Sequence, residues 1–362
     1  MTKSFAGYEK SRDLARILDI SHAMIEKTDL GSLLSLIMEQ ATKTMHADRS
    51  TLYLVDRERN ELVSFIAQRS EIKEIRLPLG TGIAGYVAKH DKTVNVEDAY
   101  KSPLFNKETD TQTGYRTVTI LCAPMKNHDG KIIGVLQVLN KKSGLFTEYD
   151  EWLFNTYAGY AAIAIENSRL HEEREKTFLS AIKALAAAID RRDPITAGHS
   201  ERVARLAVEL GRAIGLSKNE LRMLNYAAIL HDVGKIGIRD TVLLKPARFT
   251  PEERNEMNKH ALLTKEILEE IYFSKEYNSI PTVAAMHHEK LSGAGYPFGL
   301  KAEQLNVFGR ILAIADIFDA LVSHDRPYRK AMALADALNV LRDEVKENSI
   351  DPHLVNIFID KK

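Results

Sequence analysis

The hydrophobic period of this chain changes partway along it, and that change limits what the chain can fold into. Up to about residue 145, apolar runs of strand length stand between helical spacings. The runs are TLYLVD from Thr51, ELVSFIA from Glu61, RTVTILCAPM from Arg116 and KIIGVLQVLN from Lys131. The helical spacings are Leu14, Ile17, Leu18, Ser21 and Ile25, then Leu34, Ile37, Met38, Ala41 and Met45. Asp129-Gly130 separates the last two runs and predicts a hairpin turn, because both residue types tolerate positive φ. LPLGTGIAGYVAKH predicts a glycine-rich turn entering a short helix. Its glycines lack a Lys-Ser/Thr end, which argues against a nucleoside triphosphate site.

From Phe146 to about Asp190 only helical spacing remains. Leu153, Phe154, Tyr157, Tyr160, Ala161 and Ala164 share a face, polar HEEREK follows at 171–176, and Phe178, Ile182, Leu185 and Ile189 resume the stripe. Beyond residue 178 nothing alternates as a strand does. Ser217 with Glu220 and Thr250 with Glu253 predict two capping boxes, with Pro251 at the first helical position. The expectation is a multidomain chain: an α+β half, a long connecting helix over 160–190, and an all-α remainder. A helix crossing a polar stretch between domains has the composition of a signalling connector, and a homodimer through it is expected, although no regular heptad lasts three repeats.

At 362 residues the chain is long enough for two or three domains. Fifty basic and fifty acidic residues cancel, which argues against DNA, RNA or an anionic membrane as a bulk electrostatic partner. Cys122 stands alone and cannot form an intrachain disulfide, so a reducing cytoplasm is the expected compartment. The N-terminal segment lacks signal-peptide character, and no window approaches the roughly 18–20 apolar residues of a membrane span.

Six of the twelve histidines fall between 199 and 324. His231-Asp232 alone is a weak signal, since a histidine at a helix end commonly caps a carbonyl. Its company changes the odds. His199, His231, Asp232, His260, His287, His288 and Asp316 come from five predicted helices or helix ends. Imidazole and carboxylate suit iron, manganese and zinc, and seven such groups converging in a bundle would fill two metal sites with one carboxylate shared. A structural zinc site would be four-coordinate and rich in cysteine, which this chain lacks. In YAAILHDVGKIG, Gly234 and Gly237 would let the backbone turn tightly, and Lys235 follows Asp232 by three residues. Asp316 and Asp319 lie at i and i+3 on an otherwise apolar helix, where a carboxylate without a cation would be costly.

His231-Asp232 with Gly234-Lys235, and HHEKLSGAGYP from His287 to Pro297, resemble the two signatures of HD-GYP phosphodiesterases of the HD superfamily. ADIFDALVSHDRPYRKA, from Ala315 to Ala331, resembles the third block, and the resemblance assigns residues 178–362 to that domain. It implies hydrolysis of cyclic di-GMP to pGpG and/or GMP, or of cyclic GMP-AMP, at a two- or three-metal centre that is usually iron, with manganese as the alternative. Carried over, one metal takes His199, His231, Asp232 and Asp316. The other takes Asp232 as bridge with His260, His287 and His288, and a hydroxide bridging the two attacks phosphorus. Lys235 steadies the phosphate or the departing oxygen, so Asp232 and Lys235 are the catalytic pair. Tyr296, Asp319, Arg326 and Arg329 are the further substrate-binding candidates, and Gly293 and Gly295 let their loop approach the substrate. Ile195 stands where three-metal members carry Glu, so two metals are expected. SHDRPYR is one residue longer than the usual spacing, and His324 reads as a surface residue.

Residues 12–170 resemble a GAF sensor domain, an antiparallel sheet flanked by helices. Asn140, Lys141, Phe146, Asp150 and Glu151 resemble the signature of GAF domains that bind cyclic nucleotides. Lys141 would pair with Asp150 and lock the last strand to the next helix while Phe146 fills the gap, a structural role with or without a ligand. The resemblances together imply a GAF-regulated cyclic dinucleotide phosphodiesterase. The alternatives are an idle HD-GYP interaction module, and an HD nucleotidohydrolase that would leave His260, His287 and His288 unexplained.

Overall fold

Strand pairing in the first half follows from which faces the apolar runs can bury. The computed structural model describes residues 15, 17–24, 29–67, 75–107, 110–111, 114–192, 198–323 and 332–361. Six antiparallel strands form one sheet, β1 (Ala47–Asp56), β2 (Glu61–Ala67), β3 (Arg76–Pro78), β4 (Val94–Val96), β5 (Ile120–Lys126) and β6 (Ile132–Lys141), in the order β3-β2-β1-β6-β5-β4. The register sets Leu52 opposite Leu136 and Tyr53 opposite Val135. Because successive side chains point to opposite faces, a run with both faces covered reads as continuously apolar. Leu52, Leu54, Leu121, Leu136 and Val138 pack with α1 (Leu30–Thr44) and the start of α3 (Glu148–Arg192). Tyr53, Leu62, Cys122 and Val135 pack with Ile83, Ala84 and Val87 of α2 (Gly82–His90). Leu34, Ile37, Met38, Ala41 and Met45 are all buried.

Two local expectations need correction, and two strands have no sequence signal. The run from Arg116 pairs only from Ile120, because the Asn140 side-chain oxygen takes the amides of Val118 (2.6 Å) and Thr119 (3.3 Å). The hairpin turn spans Asn127 to Lys131, and only its Gly130 has positive φ. The three-residue edge strands β3 and β4 carry too few residues for a recognisable alternation.

The chain divides into two compact units, Met1–Glu175 and Lys176–Lys362. Helix α3 is continuous over 45 residues and crosses that boundary. The second unit is helical: α4 (His199–Ala213), α5 (Lys218–Leu230), α6 (Asp240–Leu243), α7 (Pro251–Glu269), α8 (Ile280–Ala285), α9 (Val307–Val322), α10 (Leu334–Lys346) and α11 (Pro352–Asp360). Both capping boxes form, at Ser217 and Thr250. Helix α9 is buried on nearly every side, from Ile311 to Ala315 and again at Phe318, which makes it the centre of the bundle. Short 3-10 turns at Val233–Gly237 and Met286–His288 follow α5 and α8. No helix among the described residues is long and apolar enough to cross a membrane.

Candidate metal centre

The groups of the constellation sit at helix ends, midway along α7 or on the central helix. His199 opens α4, His231 ends α5, His260 lies in α7, His287 and His288 form the turn after α8, and Asp316 projects from α9. All are buried except His288, which is half-buried. Three donor sets each have ligand atoms within 4.8 Å of one another: His199, His231 and Asp316; His260, His287 and His288; and His231, Asp232 and His287.

The imidazoles are oriented from behind. His231 Nδ1 donates to Ala228 O (2.7 Å), His260 Nδ1 to Met257 O (2.6 Å) and His287 Nδ1 to Ala284 O (2.7 Å). His199 Nδ1 donates to Asp319 Oδ2 at 2.7 Å. In the three rings bonded to carbonyls, a proton fixed on Nδ1 leaves the Nε2 lone pair facing the centre, and in His199 the same contact aims Nε2 at Asp316 (3.1 Å), the arrangement by which outer partners orient metal-binding histidines. Asp232 faces both sides: Oδ2 is 3.5 Å from His231 Nε2, and Oδ1 is 3.5 Å from His260 Nε2 and 3.9 Å from His287 Nε2.

Electrostatics fit a cation. Burial, followed by neighbouring imidazoles, holds His287 well below the ordinary histidine value, and burial outweighs the opposing pull of Asp316 to hold His288 at about 4. Burial opposes ionisation of Asp232 and Asp316 as well, but Lys235 with the histidines around Asp232, and His199 with His231 and His288 around Asp316, outweigh it and hold both carboxyls well below the usual range. Buried His231 Nε2 has no hydrogen-bond partner. Such an orphan is costly unless something binds it. With histidine nitrogens and carboxylate oxygens as the donors, the residues present fit a divalent metal centre.

The surroundings include groups that sequence spacing could not reveal. Thr264 Oγ1 donates to His231 O and accepts from Gly234 N, both at 2.9 Å, tying α7 to the His231 turn. Gly234 is required by contact rather than by φ, since a Cβ there would stand 2.0 Å from His260 O. Asp319, expected at the substrate, instead lies behind His199. Arg202 Nε binds its Oδ1 (2.9 Å), and the carboxylate is 2% exposed. Gly295 likewise serves the loop's own packing, with a Cβ 2.4 Å from Lys290 N, and buried Glu289 accepts from Phe298 N (2.6 Å) and Leu300 N (2.9 Å) to hold that loop. Tyr296, half-buried, is thereby set 4.8 Å from the His288 ring. Lys235 Nζ lies 2.7 Å from Asp232 Oδ2. Ile195, His324, Arg326 and Arg329 lie outside the described residues.

Family models match both halves: a GAF domain over residues 29–165 and an HD domain over residues 183–354. The chain is a GAF domain followed by an HD domain. It is 38% identical over 171 residues to 3'3'-cGAMP-specific phosphodiesterase 3 of Vibrio cholerae, covering 47% of this chain and 36% of that protein. It is 40% identical over 192 residues to the cyclic di-GMP phosphodiesterase response regulator RpfG of Xanthomonas campestris, covering 52% and 48%. A cyclic di-GMP phosphodiesterase of Thermotoga maritima is 35% identical over 191 residues, covering 52% and 50%. The chain thus spans half or less of the length of these curated relatives.

In the GAF domain the signature residues form a lock. Lys141 is hydrogen-bonded to Asp150, which also accepts from Thr147 N (2.7 Å), while Phe146 is 5% exposed beneath them. Glu151 accepts from Asn95 Nδ2 at 2.8 Å. Asn140, at φ +55°, donates to Tyr115 OH and Arg116 O, both at 2.9 Å. A separate cavity on the α2 face of the sheet is lined by Arg49, Thr51, Tyr53, Ile83, Tyr115 and Gln137 among others, and its described lining contains none of the five signature residues.

Proposed function

We propose that this chain is a metal-dependent phosphodiesterase of cyclic dinucleotides, regulated by its GAF domain. Cyclic di-GMP is the first substrate to test, with pGpG and/or GMP as product, and cyclic GMP-AMP is the second, because relatives named for each match at 35–40% identity. One observation carries the reading: four imidazoles pinned at Nδ1 turn Nε2 toward Asp232 and Asp316. His199, His231, Asp232 and Asp316 would hold one metal, and Asp232, His260, His287 and His288 the other. When bound, divalent iron, or manganese as the alternative, supplies Lewis acidity toward phosphoryl oxygen and lowers the pKa of water.

The protein's own residues do the rest. Asp232, with one oxygen toward each donor set, holds the two halves of the site in register. Lys235, already 2.7 Å from Asp232, would bind a phosphate oxygen and steady the departing ribose oxygen. Tyr296 would stack on or hydrogen-bond the substrate from the rim, and Arg326 and Arg329 would grip the second phosphate or a guanine edge.

For the GAF domain we propose a cyclic nucleotide in the cavity beside Arg49, whose guanidinium stacks 3.8 Å over the Tyr115 ring and whose Nε lacks a partner. Calorimetric titration with cyclic AMP, cyclic GMP and cyclic di-GMP tests this, and silence with all three rejects it. A homodimer is proposed through the GAF domain and α3. Trp152, Ile163 and Leu170 are exposed and fall on one stripe of α3 at 100° per residue.

The test of the catalytic reading is anaerobic hydrolysis by protein loaded with ferrous iron or manganese, with products separated by chromatography. Turnover of a cyclic dinucleotide that disappears in Asp232→Ala is expected. Inert protein with metal bound would reject the substrate class.

A further inference from the structure

The last turn of α3 meets the site from two directions. Ile189 is buried in the bundle core, and Asp190 Oδ1 accepts from Ser200 Oγ (3.3 Å), the residue next to His199. Two residues further, Arg192 spreads its guanidinium across the turn that carries Lys235. Nη1 donates to Lys235 O (2.9 Å) and Ile236 O (2.7 Å), and Nη2 donates to Ile238 O (2.6 Å) and Asp240 Oδ1 (2.8 Å).

The turn needs such a brace. Val233 and Ile238 anchor its ends at 3% and 1% exposure, but Ile236 between them is 52% exposed, so apolar burial does not fix the middle. The carbonyls ending a short helix lack a full set of intrahelical partners; here Lys235 O accepts from Ile238 N (3.1 Å) and has a second lone pair to offer. A planar fork of five donors can satisfy three of them together, which a lysine ammonium on a flexible stem cannot.

We propose that Arg192 is a positioning residue: it fixes the 235–238 backbone from behind and thereby holds the Lys235 ammonium opposite Asp232. The assignment rests on the catalytic reading of Lys235 above. Helix α3 begins at Glu148, so the helix that leaves the GAF domain is also the piece of chain that braces the Lys235 turn.

The test compares full-length, metal-loaded wild type with Arg192→Ala, Arg192→Lys, Asp240→Asn and Lys235→Ala. Readouts are kcat and KM for the cyclic dinucleotide, metal per chain, and hydrogen exchange of the 234–238 amides. In Arg192→Ala, kcat should fall at least about tenfold with KM within about twofold, at unchanged metal content. The Lys235 and Ile238 amides should exchange about tenfold faster. Arg192→Lys should rescue only part of kcat. Asp240→Asn, which leaves all three carbonyl bonds, should lose no more than about threefold. Wild-type kcat or unchanged exchange in Arg192→Ala overturns the proposal, and if that variant does not fold, the same result in Arg192→Lys does. Full turnover by Lys235→Ala would instead reject the catalytic reading beneath it. An inactive Lys235→Ala beside a normal Arg192→Ala would reject the positioning role alone.

Discussion

His199 is held between two carboxylates of one helix: its Nδ1 lies 2.7 Å from Asp319 Oδ2, and its Nε2 lies 3.1 Å from Asp316 Oδ1. Asp316 and Asp319 are one turn apart on α9, so the i, i+3 spacing aims one carboxylate at the centre and keeps the other behind the ring. Burial disfavours the charged ring, but the two carboxylates outweigh it and raise the His199 pKa to about 9.

Asp319→Asn should therefore weaken metal binding about 10- to 100-fold, as loss of an outer partner does. Activity should return at excess metal with KM unchanged. Competitive titration with a chelator, followed by kinetics at saturating metal, checks this. A raised KM with unaltered metal affinity would restore Asp319 to the substrate.

Gly234→Ala should destabilise the HD domain by about 2–3 kcal/mol, because its Cβ would meet His260 O at 2.0 Å and Thr264 N at 2.4 Å. Both are backbone atoms and cannot swing aside as a side chain can. Denaturant unfolding is the measurement, and a loss under about 0.5 kcal/mol would contradict the close packing.

Legibility in the sequence followed the range of the interactions. Capping boxes at Ser217 and Thr250 are read within four residues, and both formed. The ligand types were legible because seven hard-to-bury groups stand in an apolar helical background. Their supports were not. Arg202 reaches Asp319 across 117 positions, and Thr264 reaches His231 across 33, and no local pattern encodes such pairs. The partners of Asp319 are hidden for the same reason: a second carboxylate on a helix face that carries Asp316 looks like a substrate contact until His199 and Arg202 are seen beside it. Asn140 shows the reverse case, where a signature residue shortens the strand beside it by taking two of its amides.

Asp150→Asn should destabilise the GAF domain by about 2 kcal/mol at neutral pH, since it removes a charged hydrogen bond with Lys141. Burial raises the Asp150 pKa, but the bonds from Lys141 and Thr147 prevail and lower it. The folded pKa thus lies below the unfolded one. The stabilisation is complete above about pH 4 and is lost as pH falls through the folded value. The wild-type advantage over Asp150→Asn, followed by GAF-domain unfolding, should shrink toward acid. An advantage that grows there would contradict the lock.

Paired charges at Ile163→Lys and Leu170→Lys should convert the proposed dimer to monomer without loss of either domain's fold, because both side chains are already exposed, at 47% and 42%. Light scattering gives the answer directly. A wild-type mass of one chain would remove the dimer.

The central claim is that the His/Asp cluster is a metal centre that cleaves cyclic dinucleotides, and metal content with turnover in one preparation tests it most directly. Anaerobically loaded protein is predicted to hold two metals per chain and to hydrolyse a cyclic dinucleotide, with His231→Ala losing both metal and turnover. Hydrolysis that persists after the metal is stripped, or a cluster that binds no metal at all, would contradict the account.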